Sequence, residues 1–387
     1  MDCITLYQGA NFQGASKDVT ELLPCISRDF KFQILAESVL QIQEKDTTSA
    51  QQNLQKLINN LVKNNEDSID LQYFLFALAL TKQIEGNFPT ENIYLRNYNE
   101  ISQIDIFDLV STQLPLASLT HPIANELICK IISNRSSIVL LNIGIGKGTQ
   151  EVDLLRRLKK QGIKPQSLTI IGIEPSAEVL NQAEHQILNV AKELDFNLNF
   201  ISIAKVVEEL TEQEWSELGN IPGDLIINEA FSLHHIVNSA QENDIRQQVI
   251  FQLSQLNPVA FILIEPNSNH NISDLWIRFN NAWNHYGLVF KLIDNLAISP
   301  QSKRMLKVQF FGREIEDILG NSEETRCERH EDIDTWLARL YKAGFKPYMP
   351  NTIINLSHPL VNISEHTSYI SIDYEQTPLV AIMSLQR

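Results

Sequence analysis

Residues 137–148 read Ser137-Ile138-Val139-Leu140-Leu141-Asn142-Ile143-Gly144-Ile145-Gly146-Lys147-Gly148. A short apolar run, β-branched in part, ends in a glycine-rich turn. A helix pattern follows with Val152, Leu155 and Leu158 on one face and Gly162 as its stop. A run apolar on both faces is the mark of a strand buried inside a parallel sheet. The glycines let the backbone turn sharply and leave its amides open to a ligand with no Cβ in the way.

Outward from that strand the same grammar repeats. Residues 168–173, 197–203, 224–228 and 259–264 read as four further strands. One intervening helix carries Val179, Leu180, Ala183, Ile187, Leu188 and Ala191, and another spans 244–256. Strand and helix in alternation predict βαβ units around a parallel sheet. Residues 369–374 and 379–385 are too close together to hold a crossover helix, so they are expected to form an antiparallel hairpin. Five parallel strands closed by such a hairpin look like the class I S-adenosylmethionine-dependent methyltransferase version of the doubly wound α/β fold, a likeness at the level of fold alone.

Upstream the pattern is helical. Residues 1–48 show no clean period and read as short helices and loops. From Ala50, Leu54, Leu57, Ile58, Leu61 and Val62 share a face, and after a break at 64–67 Ser68 opens a helix carrying Leu71, Phe74, Leu75 and Leu78 toward Gly86. Residues 87–105, polar and containing Pro89, read as a loop, and 117–133 as a helix burying Ile123, Leu127, Ile128, Ile131 and Ile132. The expected division is a helical N-terminal cap over residues 1–110 and a Rossmann-like core over 111–387, with a cap insertion at about 271–345.

Composition narrows the function. The chain has 387 residues, 43% of them hydrophobic, and a net charge of −16. Nucleic-acid readers neutralise phosphates with a basic stripe. Here the densest basic cluster, Arg156, Arg157, Lys159 and Lys160, spaces out as the wet face of one helix, so direct nucleic-acid binding is not expected. Cys3, Cys25, Cys129 and Cys327 are scattered and form no CxxC pair, which argues against a disulfide framework and a cysteine zinc site. No secretory leader and no apolar run of membrane-spanning length is present, so a cytoplasmic protein is expected.

Ligands in open α/β sheets bind at the carboxyl ends of the strands. Gly144, Gly146 and Gly148 form GxGxG at the first of these ends, a spacing that resembles the methyltransferase loop. Glu174, at the tip of the second strand and 26 residues past Gly148, is placed to accept both hydroxyls of a ribose. Methyltransferases usually carry an acid where this chain has Asn142, and an amide cannot neutralise the cofactor's amino group. The fourth strand ends in Asn228-Glu229-Ala230-Phe231-Ser232-Leu233-His234-His235, which puts Glu229, Phe231 and a candidate general base, His234, at pocket level. On a helix the two adjacent histidines cannot both point inward, so they make a poor chelating pair, and no metal site is expected. The fifth strand ends in Glu265-Pro266-Asn267-Ser268-Asn269-His270-Asn271. There Glu265 and His270 have the ingredients of an acid/base pair, Asn267 lines the cleft, and Asn271 is placed to cap the next helix.

The order of these segments resembles the GRAS family, best known as plant transcriptional regulators and with bacterial members too. The match runs from about residue 50 to the end. Its most specific part is Phe311-Gly312-Arg313-Glu314-Ile315, then Glu324-Thr325-Arg326-Cys327-Glu328-Arg329-His330-Glu331, then Trp336, Arg339 and Ala343-Gly344-Phe345. Residues 228–236 are similar to the family's LHH segment, 265–271 to its E-x-x-x-NHN segment, and 379–387 to its SAW segment, with Leu385 where Trp is usual. The resemblance implies a helical cap over a methyltransferase-like core. The intact glycine loop looks like a bacterial-type member, for which it implies an S-adenosylmethionine-binding methyltransferase acting on a small molecule. The cofactor would lie on Asn142, Gly144, Gly146, Gly148, Glu174 and Glu229, with His234, Glu265 and His270 as proton acceptors. Phe231, Asn267, Arg313 and Arg329 would meet the substrate, or the two arginines would pin cap to core through ion pairs. The alternative is a non-catalytic regulatory module that binds a small ligand, a protein partner or a second copy of itself.

Overall fold

The computed structural model describes residues 29–61, 68–86, 97–98, 101–237, 244–351 and 354–387. Five parallel strands carry the core: β1 Ser137–Ile143, β2 Ser167–Ile173, β3 Leu198–Ile203, β4 Asp224–Ala230 and β5 Ala260–Pro266. Four more follow: a two-residue strand Lys346–Pro347 that pairs only with the last of them, then β6 Asn362–Glu365, β7 Tyr369–Tyr374 and β8 Thr377–Gln386. The spatial order is β3-β2-β1-β4-β5-β8-β7-β6, so the chain reverses direction beside β1 and again where β8 slots antiparallel against β5. In register, Asn142 stands between Gly172 and Asn228, and Glu265 lies opposite Ala381.

The four inner parallel strands are mainly apolar because both of their faces are covered, whereas the edge strand β3 exposes Asn199 and Ser202. Leu140, Ile170, Ile226 and Ile262 belong to one hydrophobic cluster, shared with the N-terminal helices. Their neighbours Leu141, Ile171, Ile227 and Phe261 belong to a second one with Ile250 and Trp336. Adjacent residues in a strand point to opposite faces, which is why one run feeds two cores.

The helical layer joins distant parts of the chain. α2 Thr47–Leu61 packs on α1 Phe30–Gln43 and α3 Ser68–Glu85, both of which meet the long helix 275–295, and α3 also meets residues 312–320. Phe76 stands edge-on to Trp283 with ring centroids 5.0 Å apart. A Cβ at Gly320 would lie 2.8 Å from the carbonyl oxygen of Ala79, so the two helices meet at near backbone contact. The N-terminal helices and residues 275–320 are therefore one layer over one face of the sheet, whereas the helix Ile333–Lys342 packs on the other face.

Several elements differ from expectation. Residues 1–28 of the N-terminal stretch lie outside the described residues, but 30–43 is one continuous helix. Of the expected loop at 87–105, 87–96 and 99–100 lie outside the described residues; 97–98 pairs with 101–102, and a helix, α4 Gln103–Gln113, begins inside it. The helix expected at 117–133 splits at Leu119 into Pro115–Ser118 and α5 Thr120–Ile132. Pro122 is the reason: it has no N–H to donate, and only a restart places it harmlessly in a first turn. The terminal hairpin closes tighter than expected, with Tyr374 opposite Thr377 and both Glu375 and Gln376 left-handed. Strand β6, beyond the hairpin, was not anticipated. Cys129 and Cys327 are buried, while Cys3 and Cys25 lie outside the described residues. Among the described residues no helix is long and apolar enough to cross a membrane.

Candidate functional site

The three glycines of the loop serve different ends. Gly144 (φ +71°) presses on the turn after β4, where a Cβ would sit 2.7 Å from that of Ser232. Gly148 (φ +75°) is the N-cap of α6 Thr149–Lys160, and a Cβ there would meet Ile187 at 2.8 Å. Only Gly146 (φ +54°) has nothing within 4 Å of its missing Cβ. Its N–H donates to Glu174 Oε2 at 3.3 Å, and Ser176 N–H donates to Oε1 at 3.1 Å. Burial raises the pKa of Glu174, opposed by those two donors.

Asn142 donates its amide hydrogen to Glu151, in the first turn of α6. Burial pushes Glu151 up to about 7. Behind it, Gln150 and Asn228 exchange reciprocal amide hydrogen bonds, each 3.1 Å, and Asn125 donates to the Gln150 carbonyl at 3.0 Å. This amide staple, which ties α5 and α6 to β4, carried no signal as a unit in the sequence, since Asn125, Gln150 and Asn228 lie far apart.

Past β4 the chain turns through Phe231, whose φ of +58° is uncommon for a bulky residue. Its ring stands edge-on to Phe107 of α4, centroids 6.1 Å apart. Glu229 holds the turn: its Oε1 accepts from the Ser232 and Leu233 amides and from Ser232 Oγ. Both imidazoles then lie on a 3-10 turn, Leu233–His235, and both reach one carboxylate, contrary to the expectation from helical spacing. His234 Nε2 is 3.3 Å from Glu328 Oε2, and His235 Nε2 is 3.3 Å from Glu328 Oε1.

The expected Glu265–His270 pair does not form. Glu265 Oε2 instead contacts His234 Nδ1 at 2.6 Å and its Oε1 accepts from the His234 amide, because β5 and β4 are neighbours and their tips face each other. Burial pushes Glu265 up to about 8 and His234 down, so this is a hydrogen bond between neutral groups sharing one proton rather than an ion pair. His270 lies between Ser268 Oγ at 2.9 Å and His330 Nδ1 at 2.8 Å, and burial lowers its pKa well below the usual value. Asn271 does not cap the next helix. Asp274 does, and Asn271 donates to Glu331. Asn267 staples main chain, accepting from Ile333 N–H and donating to the Pro378 carbonyl.

Residues 314–331 close over these tips. Asp317 fixes the backbone by accepting from the amides of Cys327 at 2.8 Å and Glu328 at 2.7 Å. Arg326 donates to the His270 carbonyl and pairs with Glu323. Arg329 reaches Asn271 and Glu323, and Arg313 is buried in the helix 312–320. Glu331 grips Arg339 through two oxygens and Arg246 at 3.1 Å, while Arg246 stacks on Trp336 at 5.1 Å. Burial alone would raise Glu328, but the imidazoles of His235, His234 and His330 hold it well below the usual carboxylate range. Glu229, His234, Glu265, His270 and Glu328 are each 2% exposed or less. Of the residues expected on strands four and five, His234, Glu265 and His270 are thus brought together with residues 317–331 in a buried knot, while Phe231 packs on Phe107 and the glycine loop with Glu174 and Asn142 lies at β1 and β2, touching the turn after β4 through Ser232. Asp317 and Arg246, which hold the knot, were not singled out in the sequence: neither stands in a segment with a recognisable pattern.

The profile of the GRAS domain family matches residues 32–358. DELLA protein RGL1 of Arabidopsis thaliana is 23% identical over 318 residues, 79% of this chain and 60% of that protein. Scarecrow-like transcription factor PAT1 of Arabidopsis thaliana is 26% identical over 242 residues, 60% of this chain and 49% of that protein. The chain thus spans about half of the curated relatives it matches. The crystal structure of SCL7 from Oryza sativa superposes over 92% of this chain and all of its own, with a TM-score of 0.73 at 19% identity, which shows a shared fold. These relatives are plant proteins, and nothing in them supports the bacterial-type expectation.

Proposed function

The chain belongs to the GRAS domain family, and from that premise we propose that it is a non-catalytic regulatory module that works by binding protein partners. Two relatives support this reading by name, a DELLA protein and a transcription factor. The observation that carries it is the engagement of the would-be catalytic groups with one another. Glu265 is bonded to His234 and His270 to His330, at 2% exposure or less. A general base must come within hydrogen-bond reach of a substrate proton, and these groups are instead bonded to each other under residues 314–331.

A small ligand at the glycine loop is a second reading, favoured by one observation: the open space beside Gly146, next to a buried carboxylate. S-adenosylmethionine fits there in part. Each Glu174 oxygen takes one main-chain donor and keeps a lone pair for a ribose hydroxyl. The amino-acid end fits poorly, since Asn142 donates into Glu151 and Glu229 is bonded to the Ser232–Leu233 turn. Methyl transfer is therefore not assigned.

Gly146→Asn separates the readings, because Asn tolerates a left-handed backbone and its side chain would enter the open space. In the source organism, deleting the gene is expected to change a defined set of transcripts, and both wild type and Gly146→Asn are expected to restore it. Restoration by wild type alone, together with a thermal shift by S-adenosylmethionine that Gly146→Asn abolishes, would assign the function to a bound cofactor.

A further inference from the structure

Beyond the regulatory reading, the buried knot contains a donor set that hydrogen bonding leaves incomplete. His234 Nε2 lies 3.3 Å and His330 Nε2 3.1 Å from the same oxygen of Glu328. One ligand atom from each of the three residues falls within 4.8 Å of the others, and all three are buried. Neither Glu328 oxygen nor His234 Nε2 has a hydrogen-bond partner of acceptable geometry, although each has less than 1 Å² exposed. Three imidazole nitrogens therefore surround a buried carboxylate without an aligned hydrogen bond to it, an arrangement that an ion between them would complete.

We propose that His234, Glu328 and His330 form a structural binding site for a divalent transition-metal ion, zinc above all. Imidazole with carboxylate is a donor set for zinc, and zinc bonds of about 2.0 Å at tetrahedral angles put neighbouring donors about 3.3 Å apart. The 3.3 and 3.1 Å spacings match that edge. The outer groups are in place as well. Metal-bound histidines usually turn their second ring nitrogen to a carboxylate or another polar partner, which fixes the tautomer. His234 Nδ1 is on Glu265 at 2.6 Å, and His330 Nδ1 is on His270 at 2.8 Å. Metal binding displaces the Glu265 proton, so that His234 Nδ1–H donates to the Glu265 carboxylate and His330 Nδ1–H donates to His270, and both Nε2 lone pairs face Glu328. His235, 3.3 Å from the other oxygen of that carboxylate, is the fourth donor within reach. The ion would clip the turn after β4 to the 326–331 segment, and so couple metal binding to closure of the helical layer on the sheet.

The test uses the full chain, purified without chelator and passed through gel filtration to strip the weakly held ions that an acidic surface attracts. Elemental analysis is expected to find one zinc per chain. Removing it should lower the melting temperature, zinc should restore it, and cobalt(II) in its place should give the intense visible d–d absorption of a tetrahedral site. His330→Gln should lose the metal. His330→Cys should keep it and, with cobalt, add a thiolate-to-metal charge-transfer band that no surface site would produce. If His330→Gln fails to fold, the wild-type cobalt spectrum and the chelator shift still decide. Wild-type protein with less than stoichiometric metal, no thermal response to zinc or chelator and no cobalt absorption would overturn the proposal, as would a folded His330→Gln with undiminished metal content.

Discussion

Three positions, Gly148, Gly146 and Glu151, isolate the forces acting in the glycine loop. Gly148→Ala is expected to destabilise the protein by about 3 kcal/mol, because a left-handed backbone and a methyl pressed on Ile187 both penalise it. Gly146→Ala should cost only about 1 kcal/mol, from the backbone alone. Denaturant midpoints of the two variants check the contrast, and equal losses would contradict it. Glu151 adds a pH signature. Its native carboxyl keeps its proton up to about pH 7, because it is buried, while the unfolded chain releases it near the ordinary carboxylate value. The contribution of Glu151 to stability is therefore complete below pH 4.5 and is lost as pH rises toward 7, by about 3 kcal/mol in all. Glu151→Gln should lack that slope, so its melting temperature should gain on wild type between pH 5 and 7. Parallel profiles would contradict this. The sequence could reveal glycine spacing and an acid after the second strand because both are local patterns. It could not reveal which glycine faces open space, since that depends on residues 35 to 90 positions away, Ile187 and Ser232.

Elements were legible wherever local pattern and burial agreed. The five parallel strands follow from apolar runs with cover on both faces, and the hairpin from the short gap between its strands. Helix α4 was not legible, since Gln103, Asp105 and Asp108 give its start the look of a loop. The β7–β8 turn shows where local chemistry opposes the fold. Glu375 and Gln376 are both left-handed, and neither is the Gly or Asn that such a turn prefers. Gln376→Gly is expected to stabilise the chain by about 1 kcal/mol, read as a rise in melting temperature; a fall would show that the side chain contributes something else. At the junction of the helix Ile245–Gln255 with the helix Ile333–Lys342, Glu331→Gln would leave Arg246, 1% exposed, without its counter-ion. A loss of about 3 kcal/mol is expected, and a loss below 1 kcal/mol would contradict a structural role for the pair.

At the scale of the molecule, the helical layer and the sheet are joined twice. An apolar cluster runs from Leu35 and Phe76 through Phe279 to Leu140 and Ile262, and above the strand tips the polar knot fastens residues 317–331 to β4 and β5. The sequence showed the pieces of that knot as two polar segments at carboxyl ends of strands, which is where a catalytic cleft also lies, and a separate charged segment at 324–331. Only the fold shows that they are bonded to one another. Native-state hydrogen exchange at the amides of His270, Cys327 and Glu328 tests this most directly, since they donate to His330 and Asp317 at 2.7 to 2.8 Å. If the knot is a permanent fastening, these three should exchange only on global unfolding, with the same denaturant dependence as Leu140 and Ile262. Exchange through local opening, fast and insensitive to denaturant while the strands stay protected, would show a cleft that opens to admit a substrate and would contradict the non-catalytic reading.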